Sequence, residues 1–280
     1  MNTLDRERVL ARLQQLPSLP SAVSELLISF GNEDVDVGVI AHQIARDQGL
    51  TARVLRVANS SFYGLQSKVG TINEAVVVLG FRAVRSMVLA VGVSGVFRYD
   101  QCAGFNGQNY LRHCVAVGLG ARALAQLTGY NPELAFTGGI LHDIGELVLA
   151  SNFSKEYAEV LAYRKKHDCF LVVAERDILG MDHAEVGGLL AETWRFPPAL
   201  HEAVAEHHAP AGAAASSLAD LIHVADAIAH GLGLGNAVDE LVMPVERIAW
   251  QRLKLDVEKI ARVLPQVMAG MDETCQALSA

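Results

Sequence analysis

Residues 138–146 read Gly138-Gly139-Ile140-Leu141-His142-Asp143-Ile144-Gly145-Glu146, placing an imidazole and a carboxylate side by side in an apolar, glycine-flanked segment. Charge in such surroundings is tolerated mainly when it is paired or metal-bound, and histidine nitrogen and carboxylate oxygen are the usual protein ligands of zinc, iron and manganese. Further candidates lie on either side: His113 upstream, then His183, the doublet His207-His208, and Asp226 downstream. The order is H, HD, H, HH, D. A single histidine on an apolar face is most often a core residue, whereas an ordered set of this kind asks for a common site.

The periodicity around this segment is helical. Val23, Leu26, Leu27 and Phe30 recur at i, i+3, i+4, i+7 before Gly31; Val37, Ile40 and Ile44 predict a helix to Gly49; Leu50, Val54, Leu55 and Val57 predict another before Asn59-Ser60-Ser61. Thr71 and Glu74 form a T-x-x-E capping box for a helix reaching Gly80, and Val84, Val88 and Val91 mark an apolar face over Phe81 to Phe97. Tyr99 to Gln108 breaks the pattern with two glycines and several polar residues. It sets a boundary between an N-terminal lobe, 1–100, and a second lobe, 101–280.

In that second lobe a helix over Asn109–Leu127 ends at Gly129, and Asn131 with Pro132 starts the helix leading into the His142-Asp143 pair. Asp182 and Glu185 cap a helix that carries His183 in its first turn and runs towards Trp194. Pro197-Pro198 opens the next, which holds His201 and ends near His207-His208. A small-residue loop, Ala209 to Ser217, that could be mobile precedes the helix with His223, Asp226 and His230. From Val238 onward an amphipathic tail is set for packing or for dimerisation. No convincing strand pattern appears, so the fold class is all-α.

At 280 residues and 51% hydrophobic, the chain can bury a substantial core without disulfide staples. Cys102, Cys114, Cys169 and Cys275 show neither C-x-x-C spacing nor scaffold density, which fits a reducing compartment. The first residues carry mixed charge with no apolar region behind them, and the apolar stretches read as broken well short of a membrane span, so the expected location is the cytoplasm, with no membrane partner. A net charge of -8 leaves no global basic footprint for nucleic acid. Arg46, Arg53, Arg56, Arg82 and Arg85 give the N-terminal lobe local positive charge that could serve an acidic partner surface, although arginines on solvated helix faces are the commoner explanation.

His113, His142, Asp143 and Asp226 would offer one cation two imidazoles and two carboxylates. If Asp143 bridges, His183, His207 and His208 could hold a second, giving one or two ions of iron, manganese or zinc in a pair suited to activating water against a phosphoester. Each residue also has a plainer use. Asp143 could cap the helix from Ile144 while His142 bonds a carbonyl. His183 could be an exposed first-turn residue and His207-His208 an exposed helix end. Asp226 could pair locally with His223 or His230.

The chain resembles the HDOD domain (HD-related output domain) of bacterial signalling proteins, within the HD superfamily, over roughly residues 16 to 230. The resemblance rests on Leu16-Pro17-Ser18-Leu19-Pro20, Ile44-Ala45-Arg46-Asp47-Gln48-Gly49-Leu50-Thr51, Val57-Ala58-Asn59-Ser60-Ser61-Phe62-Tyr63-Gly64 and Ile72-Asn73-Glu74-Ala75 through Leu79-Gly80. It continues through Phe136 to Leu147, His183-Ala184-Glu185-Val186-Gly187 and Ala225-Asp226-Ala227. It implies an N-terminal helical lobe packed on an HD-like lobe. It also implies a regulatory module that is generally non-enzymatic and acts through a protein partner.

The ligand pattern of the related HD-GYP phosphohydrolases carries over onto His113, His142, Asp143, His183, His207, His208 and Asp226, so the resemblance implies metal binding here. Two departures weigh against hydrolysis. Glu146 stands where those enzymes carry lysine, and His207-His208-Ala209-Pro210-Ala211-Gly212 lacks their glycine-tyrosine-proline signature. A carboxylate beside the metals repels phosphate where a lysine would neutralise it. The expected function is a metal-binding signalling regulator; the alternative is a metal-dependent phosphodiesterase acting on a nucleotide or cyclic dinucleotide.

Overall fold

The computed structural model describes residues 3–28, 36–60, 63–210, 217–235 and 241–279, and every regular element among them is an α-helix. The expected helix end at Phe30-Gly31, the Ser61-Phe62 part of one motif, most of the Ala209–Ser217 loop and the start of the tail at Val238 lie outside the described residues. Helices α1 (Arg6–Leu13), α2 (Ser21–Ile28), α3 (Val37–Arg46), α4 (Gln48–Ala58), α5 (Ile72–Leu79) and α6 (Phe81–Ser94) form the N-terminal part. The break between α3 and α4 comes at Asp47, two residues before the expected Gly49. The reason is local: the Asp47 carboxylate accepts from Leu50 N, so an Asp N-cap restarts the helix before the glycine is reached.

Helices α7 (Gly107–Thr128), α8 (Pro132–Leu141), α9 (Ile144–Asn152), α10 (Ser154–His167), α11 (Leu171–Leu179), α12 (His183–Thr193), α13 (Pro198–Ala205) and α14 (Leu218–Gly231) follow. The chain ends with α15 (Arg247–Leu253) and α16 (Val257–Ser279). The expected helix starts are in place, but the Thr71–Glu74 box closes on one side only, because the Glu74 carboxylate accepts from Gly70 N instead of Thr71 N. Thr71 accepts from Glu74 N, Asn131 from Glu133 N and Leu134 N, and Asp182 with Glu185 forms a reciprocal capping box.

Helix α16 lies against α7 and also against α4, so the tail packs onto both halves of the chain. A second tie joins the halves. Arg122 on α7 pairs with Glu133 of α8 at 2.8 Å and stacks over the Tyr63 ring at 4.9 Å, while the Tyr63 hydroxyl donates to Glu133 at 3.4 Å.

The segment Pro132–Asn152 corrects one expectation, being long and apolar enough by length and composition to cross a membrane. It is 83% buried inside the protein and is interrupted by the turn at His142-Asp143. Two consecutive core helices pass the same compositional test because neighbouring helices cover them: α7, α6, α14 and α13 lie against α8, and α12 and α10 against α9.

Two glycines set how closely the helices bearing the histidines approach. A Cβ on Gly139 would stand 2.6 Å from the Gly118 Cα, so α7 and α8 cross backbone to backbone and bring His113 and His142 onto one centre. A Cβ on Gly145 would fall onto the His183 carbonyl oxygen and 2.8 Å from Gly187 N, so α9 and α12 touch where α12 begins. Gly145→Ala must therefore push the first turn of α12 away and take His183 with it. The expected cost is about 1–3 kcal/mol, the range for overpacking a closed contact, read as a lowered denaturation midpoint. An unchanged midpoint would show that the contact relaxes freely.

Candidate metal centre

Five elements deliver the seven residues. His113 comes from the middle of α7, His142 and Asp143 from the turn between α8 and α9, and His183 from the first turn of α12. His207 and His208 come from the turn after α13, and Asp226 from α14. The structure brings all seven together, and six are buried, with only His208 half-buried. Asp143 occupies the N-cap position of α9 yet makes no cap hydrogen bond, so the plain capping role is not the one it fills. Its carboxylate turns inward instead.

The two oxygens of Asp143 face two different groups. Oδ2 lies 3.0 Å from His142 Nε2 and 3.4 Å from His113 Nε2, while Oδ1 lies 3.2 Å from His207 Nε2 and 3.3 Å from His183 Nε2. On the first side Asp226 Oδ1 stands 3.0 Å from His113 Nε2 and 3.8 Å from His142 Nε2. On the second, His208 Nε2 and His183 Nε2 are 2.7 Å apart.

Three of the remote ring nitrogens are tied down. His142 Nδ1 bonds the Gly139 carbonyl at 2.8 Å and His207 Nδ1 the Val204 carbonyl at 2.8 Å; a carbonyl only accepts, so both Nδ1 carry a proton and Nε2 is the nitrogen that each ring turns to the centre. Glu175 of α11 does the same for His183. Fully buried, its Oε2 accepts from His183 Nδ1 at 2.7 Å and from His183 N at 3.0 Å. His223, which could have paired with Asp226, accepts at Nε2 from Glu246 N and donates from Nδ1 to the His207 carbonyl at 2.7 Å, fixing the turn that bears His207 and His208.

This inward-facing set is left unsatisfied. His142 Nε2, His207 Nε2, both nitrogens of His113 and Asp226 Oδ1 are buried and make no hydrogen bond. Native proteins rarely leave such groups orphaned, and a bound ion is one standard reason when they do. The buried histidines and aspartates fall into groups of donor atoms within 4.8 Å of one another, among them His183 with His207 and His208, and His113 with His142 and Asp143. The cluster could bind metal. The residue types suit a borderline divalent cation.

The metal-free electrostatics are those of a tightly packed ionic network. Burial would raise the carboxyls of Asp143 and Asp226, but the surrounding imidazoles outweigh it and hold both well below the usual 3.8. Burial would lower His183, but Glu175 and Asp143 raise it well above 6.5, while burial and the neighbouring His207 and His183 press His208 well below that value. Protonated His183 then donates to neutral His208 across their short contact.

The cluster opens onto a cleft of about 200 Å³ whose walls include Asp143, His183, His208, Asn109, Tyr110, Glu146 and Arg164. Glu146 lies close to Asp143 and His183, with donor atoms within 4.8 Å. Glu175 went unnoticed in the sequence, since nothing in a carboxylate eight residues before a histidine announces that the turn at Gly180 will fold one onto the other. His223 and His230 were visible only as local partners of Asp226. His230 does pair with it, at 3.2 Å, and His223 does not.

Comparison with known proteins agrees with this architecture. A protein from Shewanella amazonensis SB2B, provisionally named a phosphohydrolase, is 33% identical, with a TM-score of 0.74 over 96% of this chain and 97% of its own. An HDOD domain protein of unknown function from Geobacter sulfurreducens superimposes with a TM-score of 0.79 over 98% of both chains at 22% identity, sharing the fold. An uncharacterized protein of Treponema pallidum (strain Nichols) is 26% identical over 199 residues. This chain spans 38% of that protein's length and 22% of a further curated relative's. The HDOD domain profile itself matches residues 16–210, well over half of the chain, and the chain belongs to the HDOD domain family.

Proposed function

We propose that this chain is a cytoplasmic signal-transduction module whose HD lobe holds two divalent cations and which acts by contact with a partner protein. His113, His142, Asp143 and Asp226 would hold one cation, of iron, manganese or zinc, and His183, His207 and His208 together with Asp143 would hold the other. The observation that carries the metal reading is Asp143, whose two oxygens face two separate sets of orphaned imidazoles. Bound cations would supply Lewis acidity at the floor of the cleft. The four free cysteines support a reducing compartment.

Regulation is favoured over turnover by Glu146. Its carboxylate shares the cleft with Asp143 and His183, where the charge of a phosphate would have to develop, and there it opposes rather than stabilises that charge. Hydrolysis of a phosphodiester is the second reading. It is supported by the completeness of the donor set, by the opening of both positions onto the cleft, and by the provisional name of the Shewanella protein.

The test is elemental analysis of protein purified without chelator, followed by assay of the same sample with bis(p-nitrophenyl) phosphate. About two equivalents of metal with no turnover above buffer is the expected result. Turnover that disappears in His142→Ala would replace the regulatory reading with the hydrolytic one, and metal-free protein would overturn the site.

A further inference from the structure

The position between His113 and Asp226 has one more imidazole than the ordered H, HD, H, HH, D pattern supplies. His230 follows Asp226 by one turn of α14, on the same face, with its Nε2 3.2 Å from Asp226 Oδ1. That same oxygen faces His113 Nε2 at 3.0 Å and His142 Nε2 at 3.8 Å. Three imidazole nitrogens thus surround one buried carboxylate oxygen, which makes no hydrogen bond of acceptable geometry to any of them.

The rings of His230 and His113 lie side by side, tilted, with centroids 4.3 Å apart and planes 32° from parallel, and the Nε2 of each faces the same Asp226 oxygen. His113, Asp226 and His230 each offer a donor atom within 4.8 Å of the others. His230 reaches this point from the cleft, its side chain 18% exposed where His142 is 1% exposed.

We propose that His230 is a further ligand of the cation held by His113 and Asp226, closing that position on the side of the cleft. This rests on the two-cation reading above. It would give the first position three imidazoles and two carboxylate oxygens, and the second three imidazoles and one, so the two positions differ in the number of donors the protein offers. The nitrogen-rich set selects a borderline transition metal over magnesium or calcium.

Cobalt(II) reports coordination directly, because its visible d–d bands strengthen several-fold as ligands are lost. The metal-free full chain would be titrated with cobalt(II) as wild type, His230→Ala and His230→Gln. The expected result is two equivalents in wild type, with stronger bands and about tenfold or greater weakening of one equivalent in His230→Ala, the other unchanged. That loss should at least match what removal of a mere supporting group costs.

The same defect is expected in His230→Gln, since an amide keeps a polar N–H within reach of Asp226 but makes a poor ligand for this metal. Wild-type bands and affinity in either variant would reduce His230 to a hydrogen-bonding neighbour and overturn the inference while leaving the two-cation reading intact. A wild type that takes up no cobalt would overturn both, with circular dichroism of all three proteins confirming that each is folded.

Discussion

Asp143→Ala is expected to empty both metal positions at once, while Asp226→Ala empties only the first and His208→Ala only the second. The asymmetry follows from where the oxygens of Asp143 point, Oδ2 to His113 and His142, Oδ1 to His207 and His183. Truncating it removes one donor and the shared negative charge from each position, whereas Asp226 faces only the first group and His208 lies against His183 and His207 of the second. Losing even a supporting hydrogen bond to a ligand costs about 10–100-fold in affinity, and losing a charged ligand costs more. In elemental analysis after desalting, the expected stoichiometries are about two for wild type, one for each flanking variant, and none for Asp143→Ala. Retention of one equivalent in Asp143→Ala would mean that the carboxylate serves a single position.

Much of the centre was legible because its chemistry is written in residue type. A histidine beside an aspartate in apolar sequence, with further histidines and an aspartate in order, names the members of a site without saying how they meet. The helices were legible for a similar reason: Thr71, Asn131 and Asp182 announce helix starts through side chains that satisfy exposed backbone N–H groups, and all three do so here. Asp143 shows where such reasoning stops. It stands at an N-cap position and could be read as a cap, but four histidines from outside its own helix compete for the carboxylate and win.

The partners that aim the ligands were hidden, because backbone carbonyls such as Gly139 and Val204 have no sequence identity. Glu175 reaches His183 only through a turn whose direction depends on Gly180 in the left-handed region. The close approach of Gly139 to Gly118 was equally silent, since a glycine required by a neighbouring backbone looks the same as one in a turn. Hydropathy misjudged Pro132–Asn152 because a helix buried on all sides by protein and one buried by lipid need the same composition.

Stripping the metals with a chelator is expected to lower the melting temperature by on the order of 10 °C at pH 8, and by clearly less at pH 6. A cation present at about 100 times its dissociation constant contributes about 2.7 kcal/mol per position, and two positions give a shift of that order for a chain of this size. The pH dependence comes from the groups left behind. In the metal-free protein Asp143 and Asp226 titrate well below 3.8, so their contribution is fully present above that value and is lost only as pH falls through their depressed folded values. His183 titrates well above 6.5, so its contribution is fully present below 6.5 and is lost as pH rises through its raised folded value.

The metal-free network is therefore strongest between these ordinary values, in mildly acidic solution, with His183 protonated against Glu175, Asp143 and His208. A cation at the second position must displace that proton, so binding strengthens as pH rises through the same range in which the metal-free network weakens. Both effects widen the gap between loaded and stripped protein towards alkaline pH. Thermal denaturation with and without chelator at pH 6 and pH 8 measures it, and a gap that is absent at both values, or larger at pH 6, would show that the buried histidines and aspartates are held together by their own hydrogen bonds and not by metal.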